Sequence, residues 1–189
     1  MTYRRPPLNL GTYLDDRGEP IPYGHRWGMG HPPEDTYSVT RHPERFAPIV
    51  DVAEALRKYL VATYDVIEDG ERLVPSDPSA ASLTIEITDF PLARASAGIS
   101  GYQGAWNCGC DACDDDVEEL ADTLERFVFA VVNAGFQDEI KGRSVHSSWH
   151  DDQGGTGSET PRKIVDKAVF AALKARGRDA VYAPWPLRA

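Results

Sequence analysis

Three cysteines fall within six residues, in Trp106-Asn107-Cys108-Gly109-Cys110-Asp111-Ala112-Cys113-Asp114-Asp115-Asp116. C-x-C and C-x-x-C spacings let one tight turn present several sulfurs to one ion, and zinc favours thiolate ligands. Gly109 lets the backbone fold sharply between the first two. A closed structural site needs a fourth ligand. His146 is the first candidate and His150 the alternative, one turn apart if their segment is helical. The expected metal set is Cys108, Cys110, Cys113 and His146, with zinc as the cofactor. The separation is unlike a short zinc-finger loop, so tertiary folding has to bring the histidine in.

Two other chemistries compete at the same residues. Cys110-x-x-Cys113 ahead of a helix start is the arrangement of oxidoreductase dithiols. Against it stand Asp111, Asp114, Asp115 and Asp116, because nearby anions raise a thiol's pKa and thin out the reactive thiolate. No thioredoxin-like βαβ pattern frames the motif either. The third reading is structural, with small reduced thiols filling a turn under Trp106. A zinc hydrolase would need an open coordination position and a carboxylate base, for which Asp111 is the nearest candidate. Three thiolates already donate much charge to the ion, so a closed structural site is expected before a catalytic one.

Other residues carry weaker signals. His25 and His31 flank Trp27 and could form a ligand loop, although a hydrogen-bonded structural histidine is the commoner outcome. His146-Ser147-Ser148-Trp149-His150 has histidine beside hydroxyls but no G-x-S-x-G elbow, which argues against a serine hydrolase. Gly154-Gly155-Thr156-Gly157-Ser158 precedes Arg162 and Lys163 without a phosphate-loop fingerprint, and reads as a flexible surface loop. Six of the nine residues Asp111–Glu119 are acidic, which suits a solvated helix start. Pro184-Trp185-Pro186 reads as a tail that packs its Trp on its own domain.

These residues need elements to hold them. Residues 1–40, rich in Pro, Gly and aromatics, read as an irregular arm wrapping the domain. Beyond Pro43, Phe46, Ile49, Val50, Ala53, Leu56, Leu60 and Tyr64 recur at helical spacing, with Pro48 in the first turn. Asp69-Gly70 marks a turn. Residues 82–89 alternate as a half-buried strand, and 92–102 form a weaker one with Ala93, Ala95, Ala97 and Ile99 on one face. Residues 114–133 give a helix whose stripe is Val117, Leu120, Leu124, Phe127, Val128 and Val131, capped by Gly135. A third strand is expected over 142–149, and a third helix opening at Thr160-Pro161 and ending at Gly177. The order α-β-β-α-β-α predicts an α+β fold: a small, largely antiparallel sheet packed against about three helices. The chain reads as one domain, with the arm over 1–40, the core over 41–178 and an extended tail over 179–189.

Composition sets the partners. The 189 residues are 41% hydrophobic and 26% charged, enough for a core without disulfides. A net charge of −10 repels phosphate backbones and anionic lipids, so no nucleic acid and no membrane is expected, and a basic protein partner is. No apolar run reaches a membrane span, and the start resembles neither a signal nor a transit peptide. The expected location is the cytoplasm, where clustered thiols stay reduced. The favoured function is a non-enzymatic intracellular binding protein with a structural metal; a zinc-dependent hydrolase or a thiol redox protein is the alternative.

Three stretches also carry a family resemblance. They are Tyr23-Gly24-His25-Arg26-Trp27-Gly28 with Pro33-Glu34-Asp35-Thr36-Tyr37-Ser38; Pro43-Glu44-Arg45-Phe46-Ala47-Pro48 with Leu60-Val61-Ala62-Thr63-Tyr64-Asp65-Val66; and Cys108-Gly109-Cys110-Asp111-Ala112-Cys113-Asp114. Over roughly residues 20–150 the chain resembles a family of bacterial proteins filed as a domain of unknown function. The resemblance implies a shared fold and a shared site, and imports no activity.

Overall fold

The structure, a computed structural model, describes residues 2–28, 30–177 and 179–189. Arg178, where the core is expected to end, lies outside them. A single 3-10 turn over Pro43–Phe46 leads into α1, Ala47–Thr63, with Pro48 in its first turn. There the missing amide proton costs little. Ile49, Val52, Ala53, Leu56 and Leu60 form its buried face. Asp69 and Gly70 do turn the chain, but between two strands too short to show alternation: β1 (Val66–Asp69) and β2 (Arg72–Pro75). β3 (Leu83–Ile87) and β4 (Ala93–Ala97) follow, the latter burying Ala93, Ala95 and Ala97 on one face. The expected second strand breaks at Gly98, and its continuation is a separate strand, β5 (Tyr102–Ala105).

α2 spans Val117–Val132, and Asp116 caps it by accepting from the amides of Glu118 and Glu119. Its C-terminus differs from expectation. Ala134, not Gly135, takes the left-handed conformation, with φ +65°, and the Gly135 amide closes onto the Ala130 carbonyl at 2.7 Å. Gly135 is needed for a different reason: a Cβ there would sit 2.3 Å from the His150 carbonyl oxygen. The chain then forms a meander of β6 (Phe136–Lys141), β7 (Ser144–Asp151) and β8 (Gly154–Pro161). The glycine-rich segment expected as a flexible loop is therefore mostly strand, paired with β7 from Gly154 to Pro161. That pairing consumes Thr160-Pro161, so α3 opens later, over Lys167–Arg176, with Asp166 as its cap and Gly177 after its end. β9 (Asp179–Val181) returns beside β6.

The result is an α+β fold with three helices, as the order predicts, but with two sheets instead of one. Their orders are β1-β2-β3-β4-β5 and β8-β7-β6-β9, and every pairing between these strands is antiparallel. α2 packs on α1 and reaches both sheets, against β4 and β5 on one side and β7 on the other. Phe127, fully buried in α2, meets the rings of Tyr102, Phe136 and Trp149 at centroid distances of 6.2, 6.4 and 5.8 Å. Burying such a ring contributes about 3 kcal/mol. The sheets are also tied by a polar clamp. The buried carboxylate of Asp138 in β6 accepts from the hydroxyls of Ser100, Ser147 and Tyr182 at 2.6, 2.8 and 2.8 Å, and from the amides of Ile99 and Ser100. The tail packs its Trp as expected: Trp185 is buried and donates to the Ala81 carbonyl at 2.7 Å.

Candidate metal centre

β5 delivers the chain to the cysteine loop, and α2 begins four residues after its last sulfur. Within the loop, Gly109 has φ +73° and is buried; a Cβ there would sit 2.7 Å from the Phe90 ring. That turn folds Cys108 back towards Cys110, and a second turn, Cys113 N–H to Cys110 C=O at 3.2 Å, brings in the third sulfur. The Sγ–Sγ distances are 3.2 Å for Cys108–Cys110, 3.4 Å for Cys110–Cys113 and 2.7 Å for Cys108–Cys113. All three are free thiols. Cys108 and Cys113 are exposed, so the triangle of sulfurs is at the surface.

The arm holds this loop from outside. The Asp111 amide donates to the Val39 carbonyl at 2.7 Å, and the Ala112 amide to the Thr36 carbonyl at 3.1 Å. Thr40 Oγ1 donates to the Gly109 carbonyl at 2.9 Å. The Asp111 carbonyl accepts from Trp27 Nε1 at 3.2 Å and from Arg26 Nη2. Arg26 also donates to Asp114 from its Nε at 2.5 Å and its amide at 2.7 Å. Asp114 itself has φ +50°. The Tyr23 ring lies under both Arg26 and Arg45, at 4.4 and 3.9 Å.

This arrangement answers the aspartate objection. Asp111 is fully buried and faces Arg26 and Arg41 at 3.8 and 3.9 Å. Asp114 pairs with Arg26, and Asp116 caps α2. Asp114 and Asp116 are thus engaged by a cation and by amides, while Asp111 faces two arginines with its Oδ2 lacking a hydrogen-bond partner among the described residues. The protons are shared unevenly among the sulfurs. Partial burial raises the Cys110 thiol, but hydrogen bonds from Cys108 and from the Cys113 and Ser38 backbone outweigh it and bring the pKa down to about 7. Partial burial and then the neighbouring sulfurs push Cys113 well above the usual thiol range. Near neutral pH, Cys110 is therefore the sulfur that ionises ahead of Cys113.

The three sulfurs lie within 4.8 Å of one another, close enough to hold one metal ion. Bonds of about 2.3 Å to a tetrahedral zinc would spread them to about 3.8 Å, a small adjustment for two exposed side chains. Among the described residues, no histidine or carboxylate joins this group. His146 stands on β7, opposite Glu139 and Glu159, with its Nε2 3.7 Å from Glu159 Oε1. His150 is exposed at the far end of β7, in a groove with Tyr3, Glu125 and Arg126. The segment is a strand, so the helical spacing that linked the two histidines does not apply. Sequence reasoning also missed the supports Arg26, Trp27, Thr36, Val39 and Thr40. Their signal was the concentration of Arg and aromatic residues in an arm that lacks regular structure.

The chain belongs to a family of unknown function, DUF6226, which it matches over residues 10–189. The match reaches the C-terminal helix and tail, beyond the stretch that carries the resemblance in sequence. No curated protein and no solved structure matches the chain. Among the described residues, no helix is long and apolar enough to cross a membrane.

Proposed function

We propose that this is a cytoplasmic metal-binding interaction domain in which Cys108, Cys110 and Cys113 hold one zinc ion. The observation that carries the reading is the convergence of three sulfurs within 4.8 Å on a surface loop pinned by the arm. Thiolates select zinc and other soft ions. With three protein ligands, the fourth coordination position faces solvent and takes water or a ligand from a partner. Binding is favoured over hydrolysis. Three thiolates leave the ion a weak Lewis acid, and the carboxylate nearest in sequence, Asp111, is buried against arginines. The partner we propose is a basic protein, on the net charge of −10 and the exposed Glu118 and Glu119 beside the loop.

X-ray absorption at the zinc edge tests the ligand set. Three sulfurs at about 2.3 Å and one lighter atom at about 2.0–2.1 Å are expected. A shell of nitrogen and oxygen alone, or of four sulfurs, would overturn the proposal. The lowered pKa of Cys110 favours a second reading, thiol redox chemistry at Cys110-x-x-Cys113. The two part on alkylation: the metal reading requires zinc to protect all three thiols, the redox reading requires Cys110 to react first with or without zinc.

A further inference from the structure

Between the arm and the start of α2 lies a cavity of about 220 Å³, walled by Leu10, Tyr13, Ile21, Tyr23, Arg45 and Val117. Arg45 is only 2% exposed. Its Nη1 donates to the Asp115 carbonyl at 2.7 Å. Its Nε and Nη2 are closed to solvent and have no hydrogen-bond partner among the described residues. No carboxylate among those residues forms an ion pair with it within 4.0 Å. Tyr23 and Phe46 cover the guanidinium, with centroids at 3.9 and 4.1 Å. Aromatic faces engage the flat faces of the ion and leave its in-plane N–H groups unsatisfied. The Tyr23 hydroxyl, in the same wall, is also buried without a partner. Asp115 and Asp111 lie near enough for their charges to favour the cation, but an arginine does not shed its proton, and buried N–H groups of a guanidinium left without acceptors are costly.

Nε and Nη2 form the side-on fork of an arginine, the edge that grips a carboxylate with two parallel hydrogen bonds. Asp116 lines the cavity but does not fill this role, because its carboxylate accepts from the Glu118 and Glu119 amides at 2.7 and 3.0 Å. We propose that this cavity binds a small carboxylate with an apolar body. The acid takes the Arg45 fork and the Tyr23 hydroxyl, and its carbons pack on Leu10, Tyr13, Ile21 and Val117. Binding requires the Tyr23 side to yield enough to open the fork. This site is separate from the proposed zinc and stands or falls without it.

The test is an NMR titration of the 189-residue chain, followed at the arginine Nε–H of Arg45. The probes are 4-methylpentanoate, its neutral isostere 4-methylpentanamide, and acetate. The expected result is a saturable Arg45 shift with 4-methylpentanoate, at a Kd of about 1 mM or below. The amide, which lacks the charge, and acetate, which lacks the body, should each bind at least about tenfold more weakly. Equal responses to all three probes, or an unmoved Arg45 signal at about 20 mM 4-methylpentanoate, would overturn the proposal. Two variants extend it. Arg45→Lys keeps the charge without the fork, and Tyr23→Phe keeps the ring without the hydroxyl. Each should weaken 4-methylpentanoate, the first by at least about tenfold; unchanged affinity in Arg45→Lys counts against the site. If that variant does not fold, the titration of the unaltered chain decides alone.

Discussion

The sulfur of Cys110 and its two neighbours decide how the loop meets a metal. With Cys110 at a pKa of about 7 and Cys113 pushed up, the metal-free loop holds a thiolate at Cys110 and a thiol at Cys113 just above neutrality. Zinc needs all three as thiolates, so binding releases the protons that remain. The lowered group is already ionised above pH 7 and contributes no further pH dependence there; Cys113 still does. The apparent affinity should therefore rise by at least about tenfold per pH unit above pH 7, and more steeply below it, as competition titrations with a chelator would show. Cys108→Ser, Cys110→Ser and Cys113→Ser should each weaken zinc by more than about 100-fold, beyond the 10–100-fold of a lost supporting group. At this scale the cysteines were legible because their spacing is local. The fourth ligand was not, because proximity across many residues depends on the tertiary path, and His146 follows β7 to Glu159 instead.

Elements position the sulfurs from both sides of the loop. Among the described residues the arm contributes no ligand, yet Arg26 and Trp27 grip the Asp111 carbonyl and Arg26 pairs with Asp114. Arg26→Ala should cost about 3 kcal/mol, since it strands a mostly buried carboxylate, and should weaken zinc by about 10–100-fold. Denaturant unfolding and chelator competition check the two halves. At the other end of α2, Ala134 occupies a conformation that suits glycine. Ala134→Gly should stabilise the fold by about 0.5–1 kcal/mol, a Tm rise of about 2 °C by calorimetry. Periodicity made α1, α2, β3 and β4 legible, since each buries one regular face. The β1–β2 hairpin is too short to alternate visibly. β8 is an edge strand with almost no apolar residue, so its pairing rests on the backbone of β7, which composition does not reveal.

Across the whole molecule, two antiparallel sheets share one helical layer and one buried carboxylate. Asp138 collects hydroxyls and amides from the β4–β5 turn, β7 and the residue after β9. Asp138→Ala would leave those donors buried without an acceptor and should cost more than about 3 kcal/mol. Ser147→Ala, which removes one donor, should cost about 1 kcal/mol. The α+β class was legible from the alternation of helical and strand periods. The division into two sheets was not, because β6 directly follows α2 and nothing local says which sheet it joins. One zinc held on the three cysteines underlies the proposed binding role. The most direct test is elemental analysis of freshly purified, reduced protein alongside a free-thiol count. About one zinc per chain is expected, with the three thiols protected until a chelator removes it. Metal-free protein whose three thiols titrate freely, and which takes up no added zinc, would contradict that role.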